Sequence, residues 1–281
     1  MRRTSLVLLA LFTLALTQGC FSSPQAERQL VSDAVEALGG KSAIEGLKTL
    51  RIKGEGTAYL LGQNLTPDAD LPTYKVTGYV RTIDLSAQRI ATQQTRTAQF
   101  EFAGNLVSNL HAGLDGDVAY NVNAESKATR ASDRDAKDRR LEILHHPVTI
   151  LRAALDPASK IENLRHEQTN DVIDVTTAKG DTLTLAVDQT TKLPVRVENR
   201  AAHPNLGDVR IATTFENYQE VNGVRLPTKL VTVIDTNPQL TINVTKERRR
   251  RGRVQPGAAR RREVRGAAGP AGTGRDRGTR R

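Results

Sequence analysis

Between residues 26 and 38, apolar side chains recur every three or four positions. Leu30, Val31, Ala34, Val35 and Leu38 share one helical face, and Gly39 and Gly40 stop the run, so AERQLVSDAVEAL is predicted as an amphipathic helix. KSAIEGLKTL is read as a further turn, after which the period changes to two. Residues 50–62, 73–85 and 88–102 alternate imperfectly and carry many Thr, Gln and Arg side chains, as expected of strands in a sheet with one wet face. DGDVAYNVN adds a short strand. Ser132 followed by Asp135 marks a helix start, and Leu141, Leu144, Val148, Leu151 and Leu155 continue at helical spacing. Pro147 falls inside that stripe, which predicts either two helices with Pro147 opening the second or one kinked helix.

The alternation is most regular towards the end. DVIDVTT, DTLTLAVD, LPVRVEN, GDVRIATTFENY, TKLVTVID and QLTINVT read as six short strands parted by turn residues. Strands this closely spaced form antiparallel meanders, and helices kept apart from them indicate an α+β protein. Gly54 and Gly56, within a strand-like run, mark a bulge or a sharp bend.

Charge changes this picture only at one end. The chain has 41 basic and 31 acidic residues, a formal +10 that ordinarily suggests a polyanionic partner. The segment 246–281 alone carries +11, and residues 1–245 sum to −1. Arg, Gly, Ala and Pro make up 27 of those last 36 residues, a composition that is expected to be disordered and that a GC-rich gene read in the wrong frame would also produce. No aromatic residue is present there to stack on bases, so no nucleic-acid partner is expected.

The opening segment, MRRTSLVLLALFTLALTQGC, has a basic start, an apolar run too short to span a bilayer, and small residues before Cys20. LTQGC resembles a bacterial lipobox, although Leu16 stands four residues before the cysteine and Thr17 fills the place usually held by leucine. The expected organisation is a signal peptide over 1–19, lipid attachment at Cys20, a linker over 20–25, a domain over 26–245 and the tail over 246–281. Phe21 after the cysteine, by resemblance to sorting signals, favours the outer membrane, with the inner leaflet holding the acyl chains. Cleavage by ordinary signal peptidase, leaving Cys20 an incidental thiol, is the alternative.

The order helix, strands, helical insertion, antiparallel strands on an exported chain resembles the LolA/LolB-like lipoprotein-localisation family. The stretches DQTTKLPVRVE and FENYQEVNGVRLPTKL look like that family's late hairpins. The resemblance implies a curved antiparallel half-barrel packed on a few helices and holding acyl chains. AVEALGG, IKGEG and HPVTILRAALDP also resemble the region that precedes a metallo-β-lactamase-fold domain in some secreted proteins. Such a domain needs a His-x-His-x-Asp-His run, which His111, His145, His146, His166 and His203 do not form, so this kinship would imply a chain without its enzyme.

No catalytic or metal-binding residue is assigned. Adjacent helical residues point about 100° apart, so His145 and His146 make a poor chelate and are read as a polar helix end. SDRDAKDRRLE is read as a solvated helix face. Leu183, Leu185, Val187, Val195, Val197, Val209, Ile211 and Phe215 form the candidate apolar face, either as core or as the lining of a lipid pocket. The functional expectation is a noncatalytic envelope lipoprotein, without cofactor, binding a lipid or acyl chain. The alternatives are the accessory region of a metallo-hydrolase and, last, a polyanion binder.

Overall fold

The computed structural model describes residues 24–250 except 63, 65, 67, 68, 204 and 205. Cys20, the leader and residues 251–281 lie outside the described residues. Helix α1 (Pro24–Leu38) buries the predicted face, with Leu30, Val31, Ala34, Val35 and Leu38 all in the core, and a short α2 (Lys41–Glu45) follows. Strands β1 (Thr49–Tyr59), β2 (Thr73–Asp84), β3 (Arg89–Ala98), β4 (Val107–Asp115), β5 (Val118–Val122) and β6 (Ala128–Arg130) form one antiparallel meander. Helices α3 (Asp133–Leu144) and α4 (Pro147–Leu155) come next. The second meander is β7 (Lys160–Glu167), β8 (Asn170–Thr176), β9 (Thr182–Asp188), β10 (Pro194–His203), β11 (Gly207–Val221), β12 (Val224–Ile234) and β13 (Asn237–Arg250).

Pairing of β1 with β13 joins the meanders into one open sheet of 13 strands, with β6 and β7 at its edges. The link from β6 to β7 must therefore cross the whole sheet, and α3 and α4 make that crossing. Helix α3 packs on β4 and β5 and also on β10. In a flat sheet β4 and β10, seven strand spacings apart, would be separated by about 33 Å. A helix only ~10–12 Å across reaches both, so the sheet must curl around it.

The curl has a local cause in β1. Its register shifts against β13 between Lys53 and Gly54, and against β2 between Gly54 and Gly56. A Cβ on Gly56 would collide with the Thr241 carbonyl, and one on Gly54 with the Asn243 carbonyl. Only glycine lets the two backbones approach this closely, so the sequence signal at these positions is met by bulges on both flanks.

The helices are fastened into the hollow by arginines. Arg28 on α1 donates to the Ala154 and Ser159 carbonyls at 2.9 and 2.6 Å, and Arg152 on α4 donates to the carbonyls of Ile44, Glu45 and Leu47 around the end of α2. Arg140 on α3 grips the buried Asp181 carboxylate with two bonds of 2.7 and 2.8 Å. Pro147 opens α4 at its first turn, resolving the predicted stripe into two helices. Ser132 and Asp135 cap α3 reciprocally, the Ser132 hydroxyl accepting from the Asp135 N–H at 3.1 Å and the Asp135 carboxylate from the Ser132 N–H at 3.0 Å. Ser132→Ala should therefore lower stability by about 1 kcal/mol in urea unfolding.

Three strands were not predicted. β4 exposes four of its nine residues, β6 exposes all three, and β7 is interrupted by a register shift and a left-handed Asn163 (φ 59°). β13 runs through Arg250, with residues 246–250 pairing to Lys53–Thr49, and α1 begins at Pro24. The ladder continues into the basic residues because its hydrogen bonds are made by the main chain whatever the side chains are.

Candidate functional site

A cavity of about 790 Å³ lies between α3 and the hollow face of the sheet, within the ~300–1,000 Å³ typical of small-molecule sites. β11, β12 and β13 supply an apolar floor of Val209, Ile211, Leu230, Ile234, Leu240 and Ile242. The opposite wall is mixed: Tyr79 and Arg81 from β2, Thr92, Gln94 and Arg96 from β3, and Leu110 and Ala112 from β4. Helix α3 closes the hollow with Asp135, Asp138, Arg139 and Glu142 beside Leu141. Four of the six residues that alternate inward on β2 and β3 around position 81 are polar, so this wall lacks the apolar alternation of a core strand.

Most of the charge is internally matched. Arg81 pairs with Glu142, donates to Thr92 Oγ1 at 3.2 Å and lies 5.6 Å from the centre of the Tyr79 ring. Burial opposes the charge on Arg81, and Glu142 and Tyr79 together more than offset it. Burial pushes the Tyr79 hydroxyl up to about 12. Arg139 donates to the Gly113 and Tyr120 carbonyls at 2.9 and 2.6 Å and to Asn121 Oδ1 at 2.6 Å. Arg134 reaches Asp138 at 3.8 Å and the Ala202 carbonyl. Burial raises the Asp138 carboxyl above the ordinary carboxylate range.

His145, at the C-terminal cap of α3, projects into this cavity and is 7 % exposed. Its ring is held by a chain whose directions follow by elimination. Asn199 Nδ2 donates to the Arg200 carbonyl, so Asn199 Oδ1 accepts the His145 Nε2 proton at 2.7 Å. His145 Nδ1 then accepts from the Thr213 hydroxyl at 2.9 Å, and Thr213 accepts from Thr232 at 3.0 Å. The connectivity Thr213, His145, Asn199 has the form of nucleophile, base and orienting group. Burial, however, lowers the His145 pKa from 6.5 to about 4, which leaves a weak proton acceptor at neutral pH, and Thr213 is only 4 % exposed. The network pins the end of α3 to β10 and β11. His146 faces elsewhere, its Nδ1 accepting the Val148 N–H at 3.2 Å to cap α4.

Of the eight residues on the predicted apolar face, Val209 and Ile211 line the cavity. Leu183, Leu185, Val187, Val197 and Phe215 are buried in the main core, and Val195 sits half-buried at the β10 irregularity between Pro194 and Arg196. The sequence reading missed the polar wall and His145. It took the α3 charge cluster for a solvated face, whereas Asp135, Asp138, Arg139 and Glu142 all border the cavity. The available signal was the period-two row Thr92, Gln94, Arg96 in β3, polar on the side that β2 and β4 turn inward.

Among the described residues no three His, Cys, Asp or Glu side chains gather as a metal site, and no helix is long and apolar enough to cross a membrane. No family model and no curated protein sequence matches the chain. Among solved structures it is similar to a LolA superfamily protein from Nitrosomonas europaea, at 13 % identity and a TM-score of 0.44, over 82 % of this chain and 94 % of that one. It is also similar to a DUF1329 family protein from Desulfovibrio piger, at 11 % identity and a TM-score of 0.40, over 82 % and 94 %. LprF from Mycobacterium bovis matches at 10 % identity and a TM-score of 0.29, over 84 % and 98 %. The expected kinship with the region preceding a metallo-β-lactamase-fold domain has no counterpart among these three, and at these scores the likenesses carry no functional argument.

Proposed function

We propose that the protein is a noncatalytic envelope lipoprotein, anchored through Cys20 to the outer membrane, whose curved half-barrel binds a lipid or another apolar ligand in the cavity under α3. One observation carries this reading: an apolar floor formed by Ile211, Leu230, Ile234, Leu240 and Ile242 borders a space of about 790 Å³ beneath α3. Elsewhere on the same face Leu183, Leu185, Val187 and Val197 are sealed by the core, so the hollow is confined to one part of the sheet. A hollow with an apolar floor and a polar wall suits a ligand whose hydrocarbon part lies along that floor. Helix α3, charged towards the sheet rim and apolar at Leu141, covers such a ligand without filling its place.

Native mass spectrometry of the full chain purified from an envelope fraction should show an apolar ligand copurifying, identifiable after organic extraction. Ligand-free spectra and empty extracts from repeated preparations would overturn the reading. Mass analysis of the same material tests Cys20: a diacylglyceryl-modified cysteine is expected at the mature N-terminus, and an unmodified thiol would refute anchoring.

A further inference from the structure

We infer that the cavity selects an amphiphile with an anionic head, a carboxylate or a phosphate, and that Arg96 is the residue that receives it; this rests on the reading of the cavity as a lipid site. Arg96 lies on the inner face of β3, in register with Val76 on β2 and Ser108 on β4. Among the described residues its buried Nε has no hydrogen-bond partner and no carboxylate pairs with it. Each of the other three guanidinium groups in the wall is engaged: Arg81 by Glu142, Arg134 by Asp138, and Arg139 by two carbonyls and Asn121.

A guanidinium stays charged at any physiological pH, so its burial cannot be relieved by losing a proton. Burial lowers the Arg96 pKa, with Tyr74 acting in the opposite direction. Holding such a group half-buried without a counter-ion is unfavourable, and an anion that enters the cavity supplies the missing partner through a two-pronged, charge-assisted contact. Two residues away on the same face, Gln94 also has a buried Oε1 without a partner. The two unmet groups, one donor and one acceptor, are about 7 Å apart along the strand, a spacing that suits a head group with an anionic oxygen and a nearby hydroxyl. The neighbouring lining turns apolar at Leu110 and continues to Leu240 and Ile242 across the hollow, giving the tail its path. Leu110 is 39 % exposed, which places this polar pair beside the opening and the apolar floor farther in.

The test uses the purified full chain loaded with N-phenyl-1-naphthylamine, an uncharged apolar probe, which is displaced by oleyl alcohol, oleate or oleyl phosphate below their aggregation concentrations. Oleate, oleyl phosphate or both should displace the probe at concentrations about tenfold lower than oleyl alcohol, and the stronger of the two identifies the head group. Arg96→Gln should abolish that preference, so that both anions displace the probe no better than the alcohol does. Displacement by the alcohol equal to that by both anions, or a preference that survives in R96Q, overturns the assignment of Arg96 and leaves the apolar cavity standing. Failure of the probe and of all three competitors to bind overturns the lipid-site reading itself, and the inference with it.

Discussion

Replacing Gly56 by alanine should destabilise the protein by about 4 kcal/mol, more than any other single methyl group added to the sheet. The new Cβ would meet the Thr241 carbonyl and the Ile242 Cα of β13, both of them backbone atoms, so no side-chain rotation can relieve the clash. Relief requires β1 and β13 to separate, and these are the strands that hold the two meanders together. A typical domain has only ~5–15 kcal/mol in reserve, so Gly56→Val is expected to give insoluble or unfolded chain. Urea unfolding followed by far-ultraviolet circular dichroism measures the alanine variant. Gly116→Asn is the control: its φ of +61° is one that asparagine tolerates, and nothing lies within 4 Å of an added Cβ. A Gly56→Ala midpoint as close to the parent's as that of the control would show that β1 and β13 do not approach in this way.

Acid should weaken the fold through His145. Its folded pKa of about 4 lies below the unfolded value of 6.5, so the unfolded chain takes up the proton first. The stability that depends on the neutral ring is complete above pH 6.5, falls as the pH drops towards 4, and levels off below that. The gap corresponds to about 3 kcal/mol across the window. The mechanism is directional. Protonating Nδ1 turns it from acceptor to donor, opposing the Thr213 hydroxyl that now donates to it, and the reversal would propagate to Thr232. Carboxylates titrate in part of the same range, so the comparison is between the parent and His145→Gln. The variant should start lower at pH 7 and lose about 3 kcal/mol less than the parent between pH 6.5 and 4; parallel curves would rule out the buried histidine as the source.

The sequence exposed the second meander well because β8 to β12 are buried by their own side chains. Leu183, Leu185 and Val187 recur at every second position, with Thr184 and Ala186 between them, and that period marks the face buried in the core. The same regularity misdirected the search for a site, since it reports a closed core. A cavity wall has no tight packing to enforce apolar residues, so Thr92, Gln94 and Arg96 sit inward in a segment that reads as polar on both sides. β4 and β7 escaped notice for a related reason: they are held by main-chain ladders to their neighbours, which impose no periodicity on side chains that face water. His145 was legible only as the end of a helix. That this end meets Asn199 and Thr213, 54 and 68 residues later, depends on the curl of the sheet, which local sequence signals at Gly54 and Gly56 indicate without giving its extent.

The fusion of β1 with β13 also sets an order of events during folding. β1 is the first strand in the chain, and β2 can cover one of its edges within the next hairpin. Its other edge must wait for residues 237–250, roughly 180 residues later in the chain. Throughout that interval the edge offers unpaired N–H and C=O groups to any neighbouring chain. The twin bulges at Gly54 and Gly56 break the regular ladder along it, so the bend that shapes the finished cavity also makes the waiting strand a poor template for aggregation.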